Sequence, residues 1–182
     1  MASPRILGGS AKGRALKVPT TGTRPSPSRL REALFDMLAF EPRGRFLDLF
    51  AGTGAMGLEA ASRGWSAVCV DSSRAACDVI RSNARTLRLG VEVVRADATA
   101  YARLHQAGFD VVVAAPPYPA DLTAIFAQVL GSGAAKPQGL YVLQHPSDLP
   151  SPPLPPALAG AEVRRKQYGT NTLTLVRVPP AA

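Results

Sequence analysis

No aspartate or glutamate occurs before Glu32. Met1–Arg31 carries only positive charge, on Arg5, Lys12, Arg14, Lys17, Arg24, Arg29 and Arg31, which supply +7 of the net +8. A one-signed segment on a nearly neutral body points to a polyanionic partner, most often nucleic acid. A solvated extension that aids solubility is the plainer alternative. Long apolar runs are missing too. None reaches the roughly 18 residues a membrane span needs, and "MASPRILGGSAKGR" lacks the apolar core of a signal peptide. A soluble, cytoplasmic chain with no membrane partner is expected. The two cysteines, Cys69 and Cys77, have no metal or redox spacing, so buried thiols and no metal site are expected.

Charged residues are 19% of the chain and hydrophobic ones 46%, which excludes a disordered protein. A length of 182 residues suits one domain with a small addition. The reading divides the chain into a basic extension over residues 1–42 and a main domain over residues 43–182.

In the extension, "RILGGSAKGRALKVP" reads as a small hairpin or irregular β-segment around Gly-rich turns. In "SPSRLREALFDML", Ser26 can cap a helix and Pro27 suits its first position. Leu30, Ala33, Leu34, Met37 and Leu38 repeat as one apolar helical face. From Phe46 onward, all-apolar strands alternate with helices: "FLDLF", "SAVCVD", "VEVVRAD", "FDVVVAA" and "GLYVLQH" are the strands. That pattern predicts a parallel sheet covered on both faces, and right-handed crossovers leave a doubly wound α/β fold as the leading candidate. After a Pro-rich loop, "EVRRKQYG" and "TLTLVRV" should pair as an antiparallel hairpin, making seven strands.

"DLFAGTGAMG" places Gly52, Gly54 and Gly57 in G-x-G-x-x-G spacing between a strand and a helix. Asp71 ends the next strand, where a carboxylate can accept from ribose hydroxyls. A nicotinamide dinucleotide and S-adenosylmethionine (SAM) both fit this much. Three features favour SAM. Asp48 precedes the loop, where a carboxylate repels a pyrophosphate but suits an ammonium and a sulfonium. Asp97 ends the third strand and could accept from an adenine amine. The fourth strand ends in Pro116, Pro117 and Tyr118, which a dinucleotide enzyme does not need. Asp71 and Asp97 could also be plain helix caps.

The proline loop is stiff, so its carbonyls have set directions. The Pro116 carbonyl can accept from an exocyclic amine, and the Tyr118 ring offers a stacking face worth ~1–3 kcal/mol to an extruded base. An aryl amine needs acceptors on its N–H groups to become a nucleophile; it does not need a strong base.

"LDLFAGTGAMGLEAASRG" with "PPY" resembles the class I, SAM-dependent methyltransferases that methylate amines. "RILGGSAKGRALKVP" and "RPSPSRLREALFDML" are more specific, and resemble the RsmD family, which methylates guanine N2 in bacterial 16S ribosomal RNA. The resemblance runs from about Arg5 to Val178. It implies a Rossmann-like sheet of order 3-2-1-4-5-7-6. It implies SAM held at Asp48, Phe50, Ala51, Gly52, Thr53, Gly54, Asp71, Ser72, Asp97 and Ala98. The target amine would sit at Ala115, Pro116, Pro117 and Tyr118. Lys12, Arg14, Arg24, Arg29 and Arg31 would grip phosphates of 16S rRNA or an assembling small subunit, with the protein acting as a monomer.

One position departs from the family pattern, which has Asp or Asn before Pro-Pro-Tyr/Phe. Here it is Ala115. Losing that acceptor implies a rate lower by ~10²–10³-fold. An engineered inactive variant, a natural degenerate enzyme that still binds SAM and RNA, and a neighbouring acceptor taking over all remain open. So does an adenine-N6 DNA methyltransferase, from which only the N-terminal resemblance separates this reading.

Overall fold

The apolar runs do form strands, and their burial sets the order of the sheet. In the computed structural model, which describes residues 3–19, 27–118 and 120–182, β1 (Arg45–Leu49) and β4 (Phe109–Ala114) are buried almost throughout and lie at the centre. β2 (Ser66–Asp71), β3 (Val91–Arg95) and β5 (Ala135–Pro146) flank them. β7 (Asn171–Arg177) pairs antiparallel with β5, and the exposed β6 (Glu162–Tyr168) forms the edge. The order is β3-β2-β1-β4-β5-β7-β6, as expected.

Alternate residues face opposite layers. Leu47, Leu49, Val112, Ala114 and Leu143 pack on α4 (Ala98–Leu104) and α5 (Leu122–Leu130). Phe46, Val111, Val113, Val142 and Leu173 pack on α1 (Ser28–Met37) and α2 (Ala55–Ser62). α3 (Arg74–Leu87) lies beside α2, with Ile80 and Cys77 buried. Each fully buried large apolar side chain is worth ~1.5–3 kcal/mol over exposure. Both cysteines are free and buried. No helix among the described residues is long and apolar enough to cross a membrane.

The N-terminal segment is a minimal hairpin. One antiparallel bridge joins Arg5 to Ala15, and Ile6 and Arg14 are linked by a 2.9 Å bond across it. Ile6, Ala11 and Leu16 bury against Leu58 of α2 and Leu87 of α3. Asn83 of α3 holds the segment's end, exchanging two bonds with the Lys17 backbone.

Two local expectations need correction. α1 begins at Ser28, with Pro27 just outside it; the proposed cap Ser26 lies outside the described residues. The buried face of α1 is rotated from the predicted one. It consists of Leu30, Arg31, Leu34 and Phe35, continued by Leu38 just past the helix, whereas Ala33 and Met37 are only half-buried. Phe35 stacks on Phe46 at 5.7 Å, which draws that side of the helix onto the sheet.

Candidate functional site

The chain leaves β1 through a loop whose backbone is left-handed at three positions: Phe50 (φ 59°), Gly52 (57°) and Gly54 (78°). Glycine enters that region freely, whereas phenylalanine is strained there. The Phe50 ring is held by packing on the α4–α5 layer. Strain kept in this way is characteristic of loops that present backbone to a ligand. A Cβ on Gly54 would stand 2.7 Å from Ile80, so the loop lies flat on α3.

Three carboxyl groups sit at successive strand ends, and each is held differently. Asp71 Oδ2 accepts from the Gly52 N–H at 2.9 Å and Oδ1 from the Ser73 N–H at 2.8 Å. It therefore clamps the glycine loop, and Ser73 is the residue that caps α3. Asp97 does cap α4. Its Oδ1 accepts from the Ala100 N–H and the Thr99 hydroxyl, both at 2.9 Å, and these bonds hold its pKa below the usual carboxylate value. Asp97 is exposed, and its Oδ2 has no hydrogen-bond donor among the described residues.

Asp48 lies beneath the loop, only 2% exposed, and its Oδ2 accepts from the Gly57 N–H at 2.9 Å. Burial pushes its pKa up to about 8, against the pull of the Gly57 bond. The folded state thus favours the protonated acid, and stability drains away as pH rises from the unfolded carboxyl's value through about 8. Asp48→Asn keeps an acceptor for Gly57 and removes that loss. Its melting temperature should match the parent near pH 4 and exceed it increasingly toward pH 8. Parallel melting curves of the two proteins across this range would sink the assignment.

The other expected donor-site residues are less exposed to a ligand. The Ala51 and Ala98 side chains are buried, leaving their backbone groups to act. Thr53 is buried and its hydroxyl accepts from the Ala55 N–H. Ser72 is exposed. A backbone cradle rimmed by carboxyl groups suits a cationic ligand bearing ribose hydroxyls and disfavours a pyrophosphate.

The proline loop follows β4, whose Ala114 pairs with Leu49 of β1, so the two loops are neighbours at the switch point of the sheet. Pro116 is buried and Ala115 half-buried, while Pro117 and Tyr118 are exposed. The Tyr118 ring is 43% exposed, and its hydroxyl donates to Asn171 Oδ1 at 3.3 Å. Burial raises the phenol's pKa to about 12, partly opposed by the neighbouring Gln144 amide. Sequence reasoning missed Gln144 near the end of β5, and Asn171 and Tyr168, which pair at the turn of the hairpin beside it. An amide inside the apolar run "GLYVLQH" was a signal that could have found the first.

Of the expected phosphate ligands, Lys12, Arg14 and Arg29 are exposed, and the Arg29 guanidinium lies 5.7 Å over the Tyr168 ring. Arg24 lies outside the described residues. Arg31 is a correction: its side chain is fully buried, pairs with Glu59 at 3.1 Å and donates to the Arg5 carbonyl. It ties α1, α2 and the N-terminal segment together and faces no solvent. Arg165 is likewise occupied, donating to the Ser147 and Leu149 carbonyls of the Pro-rich loop. Arg164 and Lys166 are exposed.

The strand order, the antiparallel edge and the glycine loop beside a proline loop define a Rossmann-like methyltransferase. A hypothetical protein of Thermus thermophilus superposes with a TM-score of 0.84 at 48% identity, covering 96% of this chain and 99% of that one. The putative rRNA methyltransferase YlbH of Bacillus subtilis is 33% identical over 95% of this chain and 98% of its own. Ribosomal RNA small subunit methyltransferase D of Escherichia coli K12 is 38% identical over 63% of this chain and 60% of its own. Residues 4–177 match the family described as Conserved hypothetical protein 95, and the chain belongs to that family, the RsmD family.

Proposed function

We propose that this protein transfers a methyl group from SAM to N2 of a guanine in 16S ribosomal RNA, acting in the cytoplasm as a monomer on the rRNA or on an assembling small subunit. The observation that carries the reading is a convergence at the carboxyl ends of neighbouring strands. The clamped glycine loop, the carboxyls of Asp71 and Asp97, and the Pro116–Tyr118 loop all meet there. The name of the Escherichia coli relative supports the small-subunit rRNA target.

When bound, SAM supplies an electrophilic methyl on a cationic sulfur. The backbone from Phe50 to Gly54 cradles the donor, with Asp71 and Asp97 on its hydroxyl and amino groups. Asp48 supports the loop from below and, being protonated at neutral pH in the free protein, gives up its proton more readily beside a cation. The Pro116 carbonyl accepts one amino N–H of the target, and the Tyr118 ring stacks on the base. Lys12, Arg14, Arg24 and Arg29 take phosphates, and Arg164 and Lys166 extend that surface along β6. Ala115 favours a second reading, a homologue that binds SAM and RNA without turnover.

The test combines calorimetry with SAM and NADH, methyl transfer to unmethylated 16S rRNA, and RNA affinity against salt. SAM binds, NADH does not, and log affinity falls linearly with log salt at about −0.7 per phosphate neutralised on single-stranded RNA. Replacing Lys12, Arg14 and Arg29 by alanine flattens that slope. Tight NADH binding without SAM binding would reverse the reading, and salt-independent RNA affinity would remove the basic segment from it.

A further inference from the structure

The Gln144 side chain is the buried polar group that the site leaves unexplained. Gln144 is only 8% exposed, and its Oε1 atom has no hydrogen-bond partner among the described residues. A buried acceptor left empty costs ~1–3 kcal/mol, so its persistence in an apolar strand asks for a donor that arrives from outside. Its position indicates which one. The parallel register that pairs Ala114 with Leu143 brings Gln144 alongside Ala115 at the strand ends. Val113 and Val142, two residues before each, face the same α1 layer, and the alternation carries Ala115 and Gln144 to that side too. The Tyr118 hydroxyl lies next to the Gln144 amide and is anchored to Asn171. An acceptor therefore sits one strand away from the position where this chain has a methyl in place of an oxygen.

Resting on the function proposed above, we propose that Gln144 Oε1 is a catalytic acceptor for the second amino proton of the target base, replacing the side-chain oxygen absent at Ala115. The Pro116 carbonyl takes one N–H and Gln144 the other, which turns the nitrogen lone pair toward the donor. The S–C bond of the sulfonium breaks with its electron pair left on a neutral thioether. The N–C bond forms from the nitrogen lone pair, and the surplus N–H proton passes to water. Two acceptors on a nitrogen gaining positive charge stabilise that transition state more than the ground state.

The experiment compares the full chain with Gln144→Leu, Gln144→Glu, Ala115→Asp and the Gln144→Leu/Ala115→Asp pair. It reads methyl transfer to unmethylated 16S rRNA, SAM affinity by calorimetry, and melting temperature. Gln144→Leu lowers kcat by about 10²–10³-fold with SAM affinity unchanged. Gln144→Glu keeps an acceptor and retains turnover. Ala115→Asp recovers most of the loss in the Gln144→Leu background. A purely structural glutamine would not be rescued by a carboxyl on the neighbouring strand. Parent-like turnover by Gln144→Leu, or a loss that Ala115→Asp fails to recover, overturns the proposal. So does a parent that binds SAM yet transfers methyl only after Ala115→Asp. A parent that binds no SAM at all sinks the function itself, which is a different result.

Discussion

Replacing Glu59 with glutamine lowers the protein's stability by about 3–5 kcal/mol, the scale expected when one partner of a buried ion pair is removed. Glu59 is fully buried on α2 and receives four donors. Its Oε1 accepts from Arg31 at 3.1 Å and the Leu7 N–H at 2.9 Å; its Oε2 accepts from Arg63 at 2.8 Å and the Gly8 N–H at 3.0 Å. Glutamine offers one oxygen and places an NH2 group among donors. Arg31 is then a buried cation without a counter-charge. Burial already lowers its pKa, and the attraction of Glu59 is what opposes that. At ~2–4 °C per kcal/mol for a chain of this size, melting should fall by roughly 6–20 °C.

Arg31→Met serves as the control. It leaves Glu59 paired with Arg63 and both backbone donors, so it should cost less. RNA binding should also weaken in Glu59→Gln, although no exposed cation has changed, because Leu7 and Gly8 lose the anchor that docks the segment bearing Lys12 and Arg14. Equal melting temperatures for Glu59→Gln and the parent would mean that the pair does not hold the segment down.

This pair also marks where the sequence stops being legible. The central strands were readable because β1, β2 and β4 are short, mostly apolar runs, and burial on both faces requires that pattern. The glycine loop was readable because its constraints are local: Gly52 and Gly54 adopt backbone angles that few other residues take. Asp71 and Asp97 were found by position, but their division into clamp and cap depends on Ser73 and Ala100, which only the folded turns bring into place. Arg31 looked like a surface cation because its partner is 28 residues away on another helix. Gln144 was passed over because its neighbour across the sheet, Ala115, lies about 30 residues earlier, just past β4. Charge pairing and polar complementarity across elements leave no periodic trace, whereas burial and backbone angles do.

The last glycine of the fingerprint, inside α2, yields the second large effect. Gly57 allows α2 to lie close on β2; a Cβ there would stand 2.2 Å from Cys69 Sγ and 3.3 Å from Asp48 Oδ2. Cys69 is fully buried and has little room to retreat. Alanine favours a helix over glycine by about 1 kcal/mol, yet overpacking a tight core costs ~1–3 kcal/mol and occasionally more. The helix must shift, and the Gly57 N–H that holds Asp48 shifts with it. Gly57→Ala should therefore destabilise the protein and weaken SAM binding together, even though the new methyl points into the core and away from the ligand. Removing the obstacle reverses both effects: the Gly57→Ala/Cys69→Ala protein should melt higher and bind SAM more tightly than Gly57→Ala alone. If shortening Cys69 brings no recovery, close contact between helix and strand is not what requires glycine there, and the backbone hydrogen bond to Asp48 becomes the remaining physical reason.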